Sequence, residues 1–340
     1  MVSLLPYNTL RVPAKAKEFK TLKLLKELRT LNLNEPYLFL GKGANILFVH
    51  DFAGTIIHVN LKGKKIISAR DNEVTIEVAA GENWHDIVMW TVQNNWCGME
   101  NMALIPGTVG AAAIGNIAAY GQNQEDIFES LTAINLLTKD TTSFSKPDCN
   151  FAYRRSVFHK PENKKYLITS VRYKLSKNLK INTSYYSRFE SLIAELNGVA
   201  NPQSSDIANA VIRLRRKKLP DWEKVGTAGS FFRNPVISKE KYLQLSSQVS
   251  QLQWYPTERL LYPENTDVPD FVKIPAGRLA DELGWKGKTI GQVSTAPNQA
   301  LCIINLGGAT GQEIYGFAET MRADVKNNFD IDLEYEVVIV

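Results

Sequence analysis

The stretch IPGTVGAAAIGNIAAYG, residues 105–121, is the most informative part of this 340-residue chain. It carries no charged residue, and it contains Pro106 and the glycines Gly107, Gly110, Gly115 and Gly121. So many helix breakers exclude a lipid-exposed membrane helix, which needs about 20 apolar residues in regular helical geometry. Glycines and alanines let backbone N–H groups approach a diphosphate without steric interference. The stretch therefore predicts a cradle for an anionic ligand such as a dinucleotide.

A second glycine-rich loop, GKGANI, lies upstream at residues 41–46. Neither loop contains GxGxxG after a strand or GxxxxGK[ST], so both lack the fingerprints of Rossmann and P-loop nucleotide sites. Tight turns at strand ends produce the same glycine pattern. For residues 41–46 the glycines alone leave a cofactor cradle and an ordinary turn both open.

The bulk composition predicts a globular protein of two or three domains, since 44% of the residues are hydrophobic. Cys97, Cys149 and Cys302 lie far apart, which argues against a disulfide framework and for a reducing compartment. The N-terminal region lacks a basic segment followed by an unbroken apolar run, so we expect a cytoplasmic protein without a secretory signal. The cysteines and the four histidines show no metal-binding spacing, and we expect no metal.

Charge is spread evenly over most of the chain, and the net charge is +5. The one basic cluster is RLRRKK at residues 213–218. A solvated helix end explains this cluster, and so does an anion site for phosphate or nucleic acid. Composition alone does not decide between them.

Hydrophobic periodicity predicts a mixture of helices and strands. Apolar residues at helical spacing predict an amphipathic helix at residues 17–31 and a longer helix at residues 314–329. Strands are predicted at 37–40, 45–50, 55–60, 65–70, 73–79, 131–138 and 166–175, with further helices at 84–95, 204–218, 239–251 and 276–283. The last residues, 331–339, alternate as a strand, with Asp332, Glu334 and Glu336 on its polar face.

The string ENMALIPGTVGAAAIGNIAAYG, residues 100–121, closely resembles the FAD-cradling segment of the UDP-N-acetylenolpyruvoylglucosamine reductases. GKGANILF, residues 41–48, resembles the other flavin loop of that family. Segments at 8–10, 81–84, 151–156, 218–221, 228–235 and 333–337 follow in the family's order. Residues 175–188 and the length of the third domain resemble the type I branch.

The resemblance implies an α+β fold with a two-part FAD-binding region of the vanillyl-alcohol-oxidase type and a smaller α/β substrate domain. Residues 1–65 would form the N-terminal FAD-binding domain and residues 66–218 the second one. Residues 219–330 would form the substrate-binding domain, and the strand at 331–340 could join the second FAD-binding domain.

The resemblance also implies the reaction. NADPH would reduce a non-covalently bound FAD, and the flavin would pass hydride to UDP-N-acetylglucosamine enolpyruvate, giving UDP-N-acetylmuramate for peptidoglycan synthesis. The partners would be the UDP-sugar and NADPH, with no nucleic acid and no membrane, and the chain would be a monomer. Two other functions are weighed against it: a flavoenzyme of the same fold that oxidises a sugar or lactone, and a nucleotide-binding protein without catalysis.

Reduction of an enol ether conjugated to a carboxylate builds negative charge on that carboxylate and then requires a proton. By resemblance, Arg154 would face the carboxylate, Ser230 would donate the proton and Glu336 would be the third catalytic residue. A sugar-oxidising flavoenzyme has no need of these three residues together.

The remaining site residues also come from the resemblance. Those implied for FAD are Gly41, Lys42, Gly43, Ala44, Asn45, Ile46, Ile105, Pro106, Gly107, Thr108, Gly110, Gly115, Asn116, Ala118, Ala119, Tyr120, Gly121 and Arg215. Those implied for the UDP-sugar are Tyr185, Lys218, Asn234, Tyr262, Lys273 and Gln299, with Tyr186 as the alternative to Tyr185. The alanines at 111–113 and Gly115 depart from the bulkier or polar residues common in the family.

Overall fold

The computed structural model describes residues 1–178, 190–196, 198–257 and 268–340. The chain divides into two compact units. Unit 1 contains residues 1–19, 43–55 and 216–340, and unit 2 contains residues 20–42 and 56–215. The predicted division into two FAD-binding domains and a substrate domain concerns function, and it stays a prediction.

Strands and helices alternate irregularly along the chain. The strands are β1 (Val2–Ser3), β2 (Lys15–Leu22), β3 (Tyr37–Leu40), β4 (Ile46–Leu47), β5 (Phe52–Val59), β6 (Lys64–Ala69), β7 (Glu73–Ala79), β8 (Ala118–Ala119), β9 (Gln122–Asn123), β10 (Phe128–Asn135), β11 (Thr141–Ser145), β12 (Tyr166–Ser176), β13 (Gly226–Ser230), β14 (Val236–Ser238), β15 (Phe271–Lys273), β16 (Thr289–Ile290), β17 (Val293–Ala296), β18 (Gln299–Asn305) and β19 (Val338–Ile339). The helices are α1 (Trp84–Gln93), α2 (Val109–Gly115), α3 (Gln124–Ile127), α4 (Lys146–Cys149), α5 (Glu190–Leu196), α6 (Ser204–Lys218), α7 (Lys239–Ser246), α8 (Ala276–Glu282) and α9 (Gly311–Phe329).

Unit 2 contains an antiparallel sheet with the strand order β11-β10-β12-β7-β6. Ile76 of β7 lies opposite Tyr173 of β12, and both side chains are fully buried. The Tyr173 ring meets the Trp84 ring of α1 edge to face, with centroids 5.9 Å apart. Full burial of an apolar side chain of this size contributes about 1.5–3 kcal/mol. Helices α1 and α2 therefore lie against the sheet by hydrophobic packing.

Unit 1 contains an antiparallel sheet with the strand order β13-β18-β17-β16. Helix α9 packs against β17 and β18, and its apolar face buries Phe317 and Met321. Thr310 and Glu313 form a capping box at its start, with the Thr310 amide donating to the Glu313 carboxylate at 2.7 Å. At the end of the chain, β19 pairs in parallel with β4, with Val338 opposite Ile46.

The predicted helix at 17–31 is wrong. Residues 15–22 form β2, in which Ala16 pairs with Val2 of β1, and residues 25–30 form a short 3-10 helix. Leu22 and Leu28 are buried as the periodicity requires, but Leu25 is exposed. Pairing with a neighbouring strand outweighed local periodicity here, because the backbone gains ladder hydrogen bonds that the sequence pattern does not reveal.

The alternating burial predicted for residues 331–339 is confirmed, but the hydrogen-bonded strand is shorter than predicted. Ile331, Leu333 and Val337 are buried, whereas Tyr335 makes an isolated bridge to Phe232 and the paired strand is only Val338–Ile339. No helix among the described residues is both long enough and apolar enough to span a bilayer.

Candidate active site

The glycine-rich stretch of unit 2 leads from an extended backbone into α2. The amide of Val109 donates to the Glu82 carbonyl at 3.0 Å, and the amide of Gly110 donates to the Ala80 carbonyl at 2.9 Å. A Cβ on Gly110 would lie 2.9 Å from the Ala80 Cβ, so this glycine allows α2 to approach the residue that follows β7. Gly107 has φ 138°, and its missing Cβ faces open space. Gly107 therefore leaves room above the backbone, whereas Gly110 serves close packing.

The predicted cation Arg154 lies beside the far end of this stretch. Asn116 donates from Nδ2 to the Ala152 carbonyl at 3.0 Å, and Ser156 donates from Oγ to the Ile114 carbonyl at 2.7 Å. Between these two bonds Arg154 adopts a left-handed φ of 54° and donates from Nη2 to the Ala118 carbonyl at 3.3 Å. The structure thus brings Arg154 to the predicted flavin segment and holds its loop on both sides.

Tyr120 lies near the end of the stretch with a left-handed φ of 44°. Its carbonyl accepts a hydrogen bond from Nδ2 of the buried Asn101 at 2.7 Å, so Asn101 joins the two ends of the segment. Burial raises the pKa of the Tyr120 phenol, and the positive charge of Arg215 opposes that shift. Tyr120 and Arg215, both predicted flavin residues, therefore lie within electrostatic reach of each other.

The two glycine loops meet in unit 2 at Gly41 and Thr108. A Cβ on Gly41 would lie 2.7 Å from the Thr108 Oγ1, which is too close for a real contact. Glycine at position 41 is required because the neighbouring loop leaves no room for a side chain.

In unit 1 the other half of this loop is held by the N-terminal Asn8–Leu10 segment. Gly43 has a left-handed φ of 63°, and a Cβ there would lie 2.0 Å from the Tyr7 carbonyl oxygen. The Thr9 amide donates to the Gly43 carbonyl at 3.0 Å, and the Thr9 hydroxyl donates to the Thr227 carbonyl at 2.6 Å. Thr9 therefore connects the loop to β13, the strand that carries Ser230.

A β-bulge in β13 positions Ser230. Thr227 lies opposite Ile304 and Ser230 lies opposite Cys302, so β13 contains one more residue than β18 between these pairs. Gly229 has a left-handed φ of 75° within the bulge. A bulge changes the direction of the following side chain. Ser230 is partly accessible at the end of the strand, as a proton donor requires.

Glu336 is held beside Ser230 through its backbone. Its amide donates to the Phe231 carbonyl at 2.9 Å, and its carbonyl accepts from Nδ2 of Asn45 at 2.9 Å. The neighbouring Tyr335 ring stacks on Phe232 with centroids 5.1 Å apart. The Glu336 backbone is therefore bonded in unit 1 to Asn45 and to Phe231, the residue after Ser230.

The Tyr335 hydroxyl donates to the Glu319 carboxylate of α9, which also forms an ion pair with Arg322 at 3.0 Å. The Tyr335 bond, followed by the Arg322 bond, lowers the pKa of Glu319 against a burial effect that raises it. The pKa of Tyr335 is raised, by burial first and then by its bond to Glu319. The segment that carries Glu336 is thus anchored to α9.

Three predicted substrate residues gather at the start of α8 in unit 1. Asn234 Oδ1 accepts from the Ala276 amide at 3.1 Å, and a Cβ on Gly277 would lie 2.9 Å from the Gln299 Oε1. Lys273 precedes the helix and is only 5% exposed. Lys218 is exposed at the end of α6. Tyr185, its alternative Tyr186, and Tyr262 lie outside the described residues.

Two protein-family models match the chain. The model of the UDP-N-acetylenolpyruvoylglucosamine reductase C-terminal domain matches residues 221–340, and an FAD-binding domain model matches residues 21–144. Among relatives, the UDP-N-acetylenolpyruvoylglucosamine reductase of Flavobacterium johnsoniae is 42% identical over 99% of this chain and 98% of its own. That of Azoarcus sp. is 38% identical over 98% of this chain and 95% of its own.

The chain belongs to the UDP-N-acetylenolpyruvoylglucosamine reductase family.

The solved structure of the reductase from Thermus caldophilus shares the fold, with a TM-score of 0.65 at 22% identity over 99% of this chain and 97% of that one. The predicted α+β fold with an FAD-binding region is confirmed, as is the prediction of an FAD-dependent oxidoreductase. Among the described residues, no cluster of three His, Cys, Asp or Glu side chains could hold a metal ion.

The residues of unit 2 fit FAD, the cofactor of the reductase family. A Cβ on Gly107 would meet no atom within 4 Å, so a ligand can approach the backbone there. The glycine cradle therefore suits the diphosphate of a dinucleotide.

The other predicted flavin residues lie along the same segments. Ile46 is buried in β4, whereas Asn45 is exposed. Partly buried are Lys42, Ala44, Ile105, Pro106, Gly115, Ala118, Ala119 and Gly121. Two supporting residues were not predicted from the sequence: Asn101, which donates to the Tyr120 carbonyl, and Glu100, whose carboxylate accepts from the Gly98 amide at 2.7 Å. The signal available for both was a polar side chain at the start of an otherwise apolar run.

Proposed function

We propose that this chain reduces UDP-N-acetylglucosamine enolpyruvate to UDP-N-acetylmuramate at the expense of NADPH, in peptidoglycan synthesis. The observation that carries the proposal is the backbone bond between Glu336 and Phe231, because it joins the segment of Glu336 to the residue that directly follows Ser230. Full-length similarity to reductases of this name supports it.

The residues of the two glycine loops and Arg215 would hold FAD, which would supply hydride derived from NADPH to the outer carbon of the enolpyruvyl group. The charge that develops on the substrate carboxylate then needs a cation, and Arg154 supplies a guanidinium that stays protonated. Its left-handed backbone and its bond to the Ala118 carbonyl support this role, since they hold the loop in one conformation before substrate arrives.

Ser230 donates a proton to the neighbouring substrate carbon. A serine hydroxyl is a weak acid, so the step requires the strongly basic carbon of the developing enolate as acceptor. The bulge at Gly229 supports the assignment, because it redirects the chain directly before Ser230, the partly exposed last residue of β13. Glu336 is the third catalytic residue and polarises the enolpyruvyl group.

The UDP-sugar is bound by Lys273, Asn234 and Gln299 at the start of α8, with Lys218 near the diphosphate. Support comes from the gathering of the first three around Ala276 and Gly277. Lys273 is 5% exposed and lies three residues before Ala276, at the same end of α8. Tyr185 and Tyr262 complete the proposed set from outside the described residues.

The residues assigned to FAD are those of the two glycine loops and Arg215. We propose that residues 1–65 and 66–218 serve the flavin and that residues 219–330 serve the substrate. The basic cluster at 213–218 acts on phosphate groups and not on nucleic acid, as the family membership of the chain supports. The protein acts as a cytoplasmic monomer on small molecules.

An anaerobic experiment tests the function in two half-reactions. The FAD-loaded protein is bleached with one equivalent of NADPH, the enolpyruvyl UDP-sugar is added, and the return of oxidised flavin absorbance is timed. Ser230→Ala should bleach at the wild-type rate and recover at least about a hundredfold more slowly, as expected for loss of a general acid. Ser246→Ala, which removes an exposed hydroxyl that donates to the Leu243 carbonyl within α7, is the matched control.

The outcomes separate the rival functions. Failure to bind FAD would contradict the reductase function and favour a nucleotide-binding protein without catalysis. If the flavin absorbance does not return with the UDP-sugar but returns with the oxidation product of a sugar or lactone, the protein is a sugar- or lactone-oxidising flavoenzyme. Equal slowing of both half-reactions by Ser230→Ala contradicts the role of Ser230.

A further inference from the structure

The segment GENWH, residues 81–85, contacts the residues at the start of the glycine-rich stretch. The Trp84 amide donates to the Gly107 carbonyl at 3.1 Å, and the Trp84 indole Nε1 donates to the Met102 carbonyl at 3.1 Å. Asn83 caps α1 and makes a backbone bridge to Thr108. Residues before and at the start of α1 therefore support the path of residues 102–109.

His85 supplies the remaining connection. Its Nδ1 accepts a hydrogen bond from the Leu104 amide at 3.0 Å. Leu104 has a left-handed φ of 59°, a conformation that a leucine rarely adopts because its Cβ approaches the carbonyl oxygen. Such a residue persists only where the surroundings hold it. The His85 bond is one such restraint, and it acts at the residue directly before Ile105 and Pro106.

The direction of this bond determines the state of the imidazole. A backbone N–H donates, so Nδ1 must offer its lone pair, and a neutral ring then carries its proton on Nε2. Asn83, the N-cap residue of α1, accepts from the Asp86 amide at 3.3 Å. The His85 side chain therefore accepts from the Leu104 amide outside the helix, whereas the Asn83 side chain accepts from an amide of α1 itself.

We propose that His85 is a positioning residue for FAD: its Nε2-protonated imidazole holds Leu104 in the left-handed conformation and so sets the backbone of residues 105–107 against the cofactor. The role rests on the proposed function, since it concerns the same flavin cradle. It acts through Leu104 and assigns His85 no contact with the flavin.

Two amide substitutions test the role, because each imitates one ring nitrogen. His85→Asn places an oxygen near the position of Nδ1 and can still accept from the Leu104 amide. His85→Gln places its amide near the position of Nε2 and leaves the Leu104 amide without that acceptor. The flavin-free proteins are prepared, and FAD affinity and Leu104 amide exchange are measured for each.

We expect His85→Gln to bind FAD at least about tenfold more weakly and to exchange the Leu104 amide faster, since a lost partner of a backbone donor costs roughly that much in an equilibrium constant. His85→Asn should stay within about threefold of wild type. Equal affinity and exchange in all three proteins overturns the proposal, and so does equal weakening in both variants.

A spectroscopic measurement on the wild-type protein covers the case in which His85→Gln fails to fold. In the flavin-free chain labelled with ¹⁵N-histidine, the His85 signals should show a neutral ring protonated on Nε2 at neutral pH. The opposite tautomer or an imidazolium overturns the proposal. Failure of the wild-type chain to bind FAD would contradict the proposed function instead, while amide exchange and the tautomer would still judge the bond to Leu104.

Discussion

Asn45 donates a hydrogen bond from its side-chain Nδ2 to the backbone carbonyl of Glu336 at 2.9 Å, across 291 positions of sequence. On the other side of the same residue, the Glu336 amide donates to the Phe231 carbonyl. Both backbone polar groups of Glu336 are therefore occupied by residues next to, or within, predicted parts of the active site. Neither Asn45 nor Glu336 can shift alone without breaking this arrangement.

Asn45→Ala should lower the turnover rate roughly tenfold, equivalent to about 1.4 kcal/mol in the activation barrier, because Glu336 loses a fixed position. Steady-state kinetics with the enolpyruvyl UDP-sugar measures the effect. The matched control is Asn328→Ala, which removes an amide that donates only to Asp324 within α9. Equal loss in both variants would show that the Asn45 bond has no specific role.

Gly41→Ala should weaken FAD binding, because the new Cβ meets the Thr108 Oγ1 at 2.7 Å. Overpacking of this kind typically costs about 1–3 kcal/mol. Adding Thr108→Ala removes the hydroxyl and the nearest methyl group, so the double variant should recover part of the affinity. Fluorescence titration of the flavin-free proteins gives the affinities. Additive losses in the double variant would mean that the two loops do not meet at this point.

Asn116 combines a left-handed φ of 41° with two hydrogen bonds, to the Ala152 carbonyl and from the Glu125 amide. Asn116→Gly removes both bonds, but glycine adopts the left-handed conformation without strain. The substitution should lower the free energy of unfolding by about 1–3 kcal/mol. Asn116→Ala should cost roughly 1 kcal/mol more, since alanine strains at positive φ. Urea denaturation compares them. An alanine variant as stable as the glycine variant contradicts the assigned conformation.

Burial raises the pKa of the Glu100 carboxyl above its ordinary 4.5, and backbone bonds from Gly98, Glu100 and Met99 oppose the shift. The folded state therefore holds this proton more tightly than the unfolded state. Its contribution to stability is complete below pH 4.5 and is lost as the pH rises through the folded-state pKa.

Glu100→Gln removes the titrating group while keeping an acceptor for the Gly98 amide. The free energy of unfolding of wild type minus that of Glu100→Gln should fall as the pH rises from about 4 to about 8. Urea denaturation of the flavin-free proteins at several pH values measures this difference. A difference that stays constant or rises with pH would show that the Glu100 pKa is not raised on folding.

Much of the secondary structure follows from local pattern. Helix α6 begins and ends at the predicted residues, Ser204 and Lys218, and its residues Ile207, Val211 and Leu214 are buried at helical spacing. Strand β7 likewise occupies the predicted residues, since its apolar alternation is unbroken. The helix predicted at 17–31 failed because strand pairing decides such a segment, and pairing partners lie far away in the sequence.

The sequence predicted the positions of the site but not the constraints that act on them. The glycines at 41, 43, 107 and 110 stood out in the sequence, but the structural reason for glycine at each position did not. A Cβ would collide with Ala80 at Gly110, with the Tyr7 carbonyl at Gly43 and with Thr108 at Gly41. Each collision arises from a close approach between distant segments of the chain. The supporting roles of Asn101 and His85 depend on carbonyls and amides whose positions the sequence does not contain.

By itself, the sequence determined the family, the cofactor class and the residue types that the chemistry requires, because these depend on the order and identity of side chains along the chain. The tertiary structure alone decided that Asn45 meets Glu336 and that Ser230 follows a bulge. Hydrogen bonds act over about 3 Å, so contacts between segments hundreds of residues apart exist only once the backbone has folded.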